Sequence, residues 1–179
     1  MPSPSPHIPV LLTEVLEALA PRDGGIYVDG TFGAGGYSMA LLGAAACRVI
    51  GLDRDPGAVA RGRGLEAAEA NRFTMIETRF GQMDEALRLC GVNQVDGIAL
   101  DIGVSSMQID EAERGFSFAK DGPLDMRMEQ AGPSAADMVN GTEEAALADI
   151  IVGNFGKVHL QLYTQIGATA CTLLAVYVS

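Results

Sequence analysis

The stretch Tyr27-Val-Asp-Gly-Thr-Phe-Gly-Ala-Gly-Gly-Tyr-Ser-Met-Ala-Leu-Leu42 passes from an apolar run through a cluster of glycines into a second apolar run. That order predicts a strand, a tight turn and a helix, with a backbone at the turn bare enough for a ligand to approach. Glycine turns of this general kind hold dinucleotides, nucleoside triphosphates or sulfonium cofactors, and others are plain connections. The neighbouring sequence has to discriminate among them.

Upstream, the first ten residues hold four prolines and read as an extended arm. Residues 10–20, Val-Leu-Leu-Thr-Glu-Val-Leu-Glu-Ala-Leu-Ala, repeat apolar positions at helical spacing until Pro21. The glycine stretch itself gives a strand over Gly25–Thr31 and a helix containing Ser38–Leu42. Downstream come a buried strand, Arg48-Val-Ile-Gly-Leu-Asp53, a helix over 56–70 and a strand over Phe73–Glu77. A helix over 82–90 and a fourth strand, Val95-Asp-Gly-Ile-Ala-Leu-Asp101, complete the rhythm.

Strands alternating with helices imply βαβ units, hence an α/β protein with a parallel, Rossmann-like sheet. Right-handed crossovers then bring the loops carrying Gly33, Asp53 and Asp101 to one edge, at the carboxyl ends of the strands. Beyond residue 104 the strand rhythm is lost. Residues 105–140 are polar and loop-rich, and Thr142–Ile151 reads as a helix capped by Thr142, with Glu143 and Glu144 in its first turn. No acid follows Asp149, and Val158–Ser179 contains no charged residue. This tail has neither clean alternation nor turn signals. Four strands alone leave the fourth with an open edge, part of which the uncharged tail can cover. The organisation is therefore 1–104 as the first part of a ligand-binding core, 105–151 as the start of an inserted helical domain, and 152–179 as a divergent tail.

At 179 residues and 48% apolar content, the chain has enough material for one domain, or for one domain and part of a second. A formal charge of −11 makes the surface as a whole repel nucleic acid, so a nucleic-acid partner would need a local basic patch. Arg114, Lys120 and Arg127 are the nearest to one, but Asp121, Asp125 and Glu129 match them in number, and ion pairing is the favoured reading. The three cysteines, Cys47, Cys90 and Cys171, are far apart and read as reduced cytosolic thiols with no metal-ligand spacing. No secretory signal and no run of eighteen apolar residues is present, so a soluble cytoplasmic protein without a membrane span is expected.

The third glycine of the dinucleotide fingerprint is replaced by Ser38. A triphosphate loop needs Gly-Lys-Ser/Thr, and no lysine precedes position 120. Asp53 ends the next strand twenty residues beyond Gly33, where a carboxylate can accept hydrogen bonds from both ribose hydroxyls of an adenosine. Its other reading is a helix cap in Asp53-Arg-Asp-Pro56. Asp29 adds an acid to the same edge, which suits a sulfonium or amino group better than a pyrophosphate. An NAD-dependent oxidoreductase would also need an acid or base near the nicotinamide, for which His7 and His159 are poor candidates.

Several motifs then occur in order at tight spacing: His7-Ile-Pro-Val-Leu-Leu-Thr-Glu14, Asp29-Gly-Thr-Phe-Gly-Ala-Gly-Gly-Tyr-Ser38, Asp53-Arg-Asp-Pro56, Asp101-Ile-Gly-Val-Ser-Ser-Met-Gln108, Glu113-Arg-Gly-Phe-Ser-Phe118 and Asp121-Gly-Pro-Leu-Asp-Met-Arg-Met128. Over residues 7–151 the chain closely resembles the bacterial 16S ribosomal RNA cytosine-N4 methyltransferases, the small-subunit methyltransferase H family. The resemblance implies a class I methyltransferase core, S-adenosylmethionine as methyl donor, and small-subunit ribosomal RNA or the assembled subunit as partner. It implies that Gly35, Gly36 and Tyr37 (often His in the family) line the methionine end, with Gly33 also among the cofactor-binding residues. Asp53 then holds the ribose, Phe80 packs near the adenine, and Asp101 and Gln108 complete the pocket.

Methyl transfer to cytosine N4 needs an acceptor that localises a delocalised lone pair, and Asp101 at a strand end is the catalytic candidate. Phe116 and Phe118 are candidates for stacking on the base or for plain packing. The arginine-rich helix and later core strands of the family have no counterpart here, and Asn154-Phe-Gly156 is the last echo of it. The alternative is a non-catalytic fragment that binds only cofactor or a partner.

Overall fold

The computed structural model describes residues 9, 11–69, 71–150 and 173–178. It divides into two compact units, Met1–Ile102 with Leu174–Ser179, and Gly103–Leu173.

The first unit is an α/β sheet of order β3-β2-β1-β4-β5. Its elements are α1 (Leu12–Leu19), β1 (Ile26–Asp29), α2 (Gly36–Ala44), β2 (Arg48–Asp53), α3 (Pro56–Ala68), β3 (Phe73–Glu77), α4 (Met83–Leu89), β4 (Gly97–Ile102) and β5 (Leu173–Val178). Strands β1, β2, β3 and β4 are all parallel where their pairing is described. Both faces are covered, which is why the strands read as near-continuous apolar runs. Neighbouring strand residues point to opposite faces. Tyr27 and Val49 join α1, α2 and α3 through Val15, Leu19, Leu41 and Ala58 in one core. Val28, Ile50 and Leu52 join Leu87 of α4 in the other.

The expected strands Arg48–Asp53 and Phe73–Glu77 are found with those bounds. The fourth begins at Gly97 instead of Val95, because the Asp96 carboxylate takes the Ile26 N–H at 2.7 Å and the Arg22 guanidinium at 2.5 Å. Helix α3 starts where Asp55 accepts from the Gly57 N–H at 2.8 Å, with Pro56 in its first turn. A Cβ on Gly62 would lie 2.3 Å from the Met75 sulfur, so glycine there lets α3 sit close on β3. Beside β4 lies β5, so the uncharged tail supplies one strand to the sheet. Asn154-Phe-Gly156, His7 and His159 lie outside the described residues.

The second unit contains the short helices α5 (Ser106–Asp110) and α6 (Ala135–Gly141), and residues 144–150 are helical. Helix α6 falls in the stretch read as loop. It buries none of its residues, so it leaves no apolar period in the sequence. It is held instead by a capping box between Ser134 and Asp137. Thr142 closes α6, donating its N–H to the Met138 carbonyl at 3.1 Å, and does not open the next helix as expected.

Candidate functional site

The parallel register sets the levels of the acids at the carboxyl edge. Asp29 on β1 is level with Gly51 on β2 and with Ala99 on β4. Asp53 and Asp101 therefore each stand two residues further along, on opposite sides of the strand that feeds the glycine turn. With β1 between them, their backbones are roughly 10 Å apart.

The turn is built from inside. Asp29 is fully buried and accepts from the Ser38 hydroxyl at 2.8 Å, the Ser38 N–H at 3.2 Å and the Thr31 N–H at 3.4 Å. Burial, opposed by these hydrogen bonds, raises its pKa to about 6. The acid read as a third charge facing the ligand is thus spent beneath the turn, and the serine in place of the third glycine is its partner. Gly33 and Gly35 are left-handed, with φ of 53° and 81°. A Cβ on Gly35 would lie 2.7 Å from the Phe32 ring. At Gly33, by contrast, the nearest atom to such a Cβ is the Thr31 carbonyl oxygen at 3.8 Å, so its outer side is open. Gly36 opens α2.

Asp53 takes two backbone donors, the Gly33 N–H at 2.8 Å on Oδ2 and the Asp55 N–H at 2.9 Å on Oδ1. The cap of α3 is Asp55, so Asp53 is not the capping residue. Its carbonyl oxygen accepts from the Thr78 N–H at 2.9 Å, which ties in the segment leading to Phe80. The Phe80 ring is 41% exposed just past β3, despite its apolar character. Asp53 and Phe80 thus share one corner of the edge.

On the other side, the Asp101 N–H donates to the Thr31 hydroxyl at 2.8 Å, stitching β4 to the turn. Tyr37 is buried in the core with Leu41 and Val15. Burial pushes its phenol pKa up, and the negative charges of Asp101, Asp29 and Glu14 push it the same way, so it stays neutral. Sequence reasoning missed the roles of Ser38 and Thr31, because a hydroxyl near a glycine turn carries no pattern of its own.

Gln108 belongs to the second unit, where its Oε1 accepts from the Ser105 N–H at 3.0 Å in a capping box opening α5. The basic residues described in that unit are engaged with acids. Arg127 forks onto Asp125, the shortest contact being 2.6 Å, and holds its carboxyl down at about 2. Lys120 pairs with Asp110 at 3.3 Å, and Arg114 with Glu111 at 3.9 Å. Ion pairing is the arrangement found, with Asp125 among the acids expected and Asp110 and Glu111 joining in it. Arg114 also lies over the Phe116 ring, 5.9 Å from its centroid, while Phe118 is fully exposed.

Among the described residues no cluster of His, Cys, Asp or Glu could hold a metal, and no helix is long and apolar enough to cross a membrane. Cys47 and Cys90 are free thiols. An open depression of about 470 Å³ lined by Arg48, Glu66, Asn71, Phe73 and Thr74 lies at the opposite, amino end of β2 and β3 and has no part in this site.

A sheet of this order, parallel through β1 to β4, with a glycine turn after β1 and an acid ending β2, is the arrangement of a Rossmann-like α/β core. The chain belongs to the MraW methylase family, whose profile matches residues 4–169. It is 74% identical over 149 residues to a ribosomal RNA small subunit methyltransferase H of Paramagnetospirillum magneticum, covering 83% of this chain and 47% of that protein. Its identity to the protein of the same name from Parvibaculum lavamentivorans is 64% over 149 residues, covering 83% and 44%. The chain thus spans about half the length of the curated relatives it matches. A solved rRNA methylase from Streptococcus thermophilus overlaps it loosely, with a TM-score of 0.38 and 22% identity over 46% of this chain and 51% of that one. The family resemblance carried by the motifs over 7–151 therefore stands.

Proposed function

We propose that the chain carries the cofactor-binding part of an S-adenosylmethionine-dependent methyltransferase acting on the N4 amine of a cytidine in small-subunit ribosomal RNA. The observation that carries this reading is the pair Asp53 and Asp101 flanking a glycine turn that is already locked in its left-handed form. The residues fit an adenosine. Each oxygen of Asp53 holds one backbone donor and keeps acceptor capacity for one ribose hydroxyl. The open side of Gly33 and the exposed ring of Phe80 offer a backbone and a stacking face beside it.

In this reading Gly35, Gly36 and Tyr37 line the methionine end, Gly33 meets the cofactor beside Asp53, Asp53 holds the ribose, Phe80 covers the adenine, and Asp101 completes the seat. When bound, the cofactor supplies an electrophilic methyl group on sulfur. The protein's part is mainly to hold the acceptor in line, since proximity and orientation supply most of the gain in a displacement of this kind. Asp101 accepts a hydrogen bond from the N4 amine and so draws its lone pair out of ring conjugation. A stacked cytidine must first leave its neighbours to reach that group. The partner is ribosomal RNA or the assembled small subunit, in the cytoplasm, and residues 105–151 begin an inserted substrate domain.

A second reading, in which the chain binds cofactor or a partner without turnover, is favoured by one observation. Arg114, Lys120 and Arg127 are all engaged with acids of their own unit, in a chain of net charge −11. The test is calorimetric titration with S-adenosylhomocysteine beside an Asp53→Ala control, followed by methylation of small-subunit particles. Binding lost in the control supports the cofactor seat, and added turnover on particles selects the enzyme over the binder. A folded parent that does not bind, or a control that binds equally well, refutes the seat.

A further inference from the structure

Gly33 is held at both its N–H and its carbonyl by side chains of other elements. Its N–H donates to Asp53 Oδ2 at 2.8 Å, and its carbonyl accepts from Arg61 Nε on α3 at 3.2 Å. The guanidinium lies back along α3 over Gly57. A Cβ there would meet Arg61 Nη1 and Nη2 at 3.7 and 3.9 Å. The residue so held is left-handed, at φ 53°, although nothing crowds its outer side. The Gly35 N–H closes the turn across it onto the Phe32 carbonyl at 2.7 Å, and the two side chains hold the residue from either side of that turn.

We infer that Arg61 is a positioning residue: with Asp53 it fastens the Gly33 peptide in its ligand-receiving conformation before any ligand arrives. The inference rests on the proposed cofactor seat for its functional consequence, but not for its structural one. A free glycine populates left- and right-handed regions about equally, so an unfastened turn has to be ordered at the moment of binding. Arg61 also offsets negative charge. Asp53 and Asp55 stand close by on the same loop, and a guanidinium over the turn carbonyl compensates part of their field without contacting the ligand. Asp53 then has two tasks, and substituting it removes a ligand contact and half of the fastening together. Arg61 separates the two, because only the fastening depends on it.

The experiment compares the full chain with Arg61→Ala and Arg61→Lys in two measurements. Amide hydrogen exchange in the ligand-free protein reads the turn directly. Arg61→Ala is expected to speed exchange of residues 33–36 at least about threefold, leaving β1 and β2 unchanged, and Arg61→Lys to restore much of the protection. Titration with S-adenosylhomocysteine reads the consequence, a roughly three- to tenfold weaker affinity in Arg61→Ala, partly recovered with Lys. Unchanged exchange at the turn overturns the inference, whether or not the parent binds. Faster exchange at the turn in a folded parent that binds no S-adenosylhomocysteine refutes the cofactor seat and leaves Arg61 as the fastener. Binding by the parent with equal affinity in Arg61→Ala overturns the functional consequence.

Discussion

Asp29→Asn tests how the glycine turn is supported. Asp29 is fully buried, with a folded pKa of about 6 against roughly 3.9 for an unfolded aspartate. The folded state therefore holds this proton more tightly than the unfolded chain. The stability it contributes is fully present below the unfolded value near pH 4 and is lost as pH rises through about 6. The two-unit shift bounds the effect at about 3 kcal/mol, and between pH 5 and pH 7.5 it amounts to about 1.4 kcal/mol. Asparagine cannot titrate, so this component disappears, while the other carboxylates contribute equally to both proteins and cancel. Urea unfolding followed by circular dichroism at pH 5, 6, 6.7 and 7.5 measures it as the difference between parent and variant. Parent stability should fall relative to the variant by about 1.4 kcal/mol across that range, steepest at the acid end near pH 5 and levelling off above about pH 6.7. Parallel profiles for the two proteins would show that Asp29 is not a buried titrating acid, and the account of the turn would fail.

Gly35→Ala places a Cβ 2.7 Å from Phe32 at a φ of 81°, so conformation and overpacking together should destabilise the fold by about 2–4 kcal/mol in denaturant titration. A loss below roughly 0.5 kcal/mol, the scale of an ordinary surface change, contradicts that geometry. Phe80→Ala removes a side chain that is 41% exposed, so stability should fall by only about 1–2 kcal/mol. Its affinity for S-adenosylhomocysteine should nevertheless fall about tenfold through lost stacking, and unchanged affinity would remove Phe80 from the seat. Arg127→Ala should raise the Asp125 carboxyl from about 2 part of the way to the usual aspartate range, the residue 127 N–H still donating to it, read by carbon-detected NMR titration, and a titration that stays put refutes the fork.

The sequence by itself determined the alternation of strands and helices through Asp101, because buried parallel strands are short apolar runs and their helices carry amphipathic or capped signatures. The bounds of β2 and β3, the glycine turn and the acids at the strand ends were all legible for that reason. The second unit was less so: α6 is short, exposed and held by a capping box, so no period announced it. Only the tertiary structure decided which acid does what. Asp29, Asp53, Asp55 and Asp101 look alike along the chain. The register puts Asp29 under the turn with Ser38, gives Asp55 the cap of α3, and leaves Asp53 and Asp101 flanking the turn at the open edge. Arg61 joins them from a different helix, 28 residues away from the glycine it grips. A contact of that separation depends on how α3 packs on the sheet, and no local pattern in the sequence encodes it.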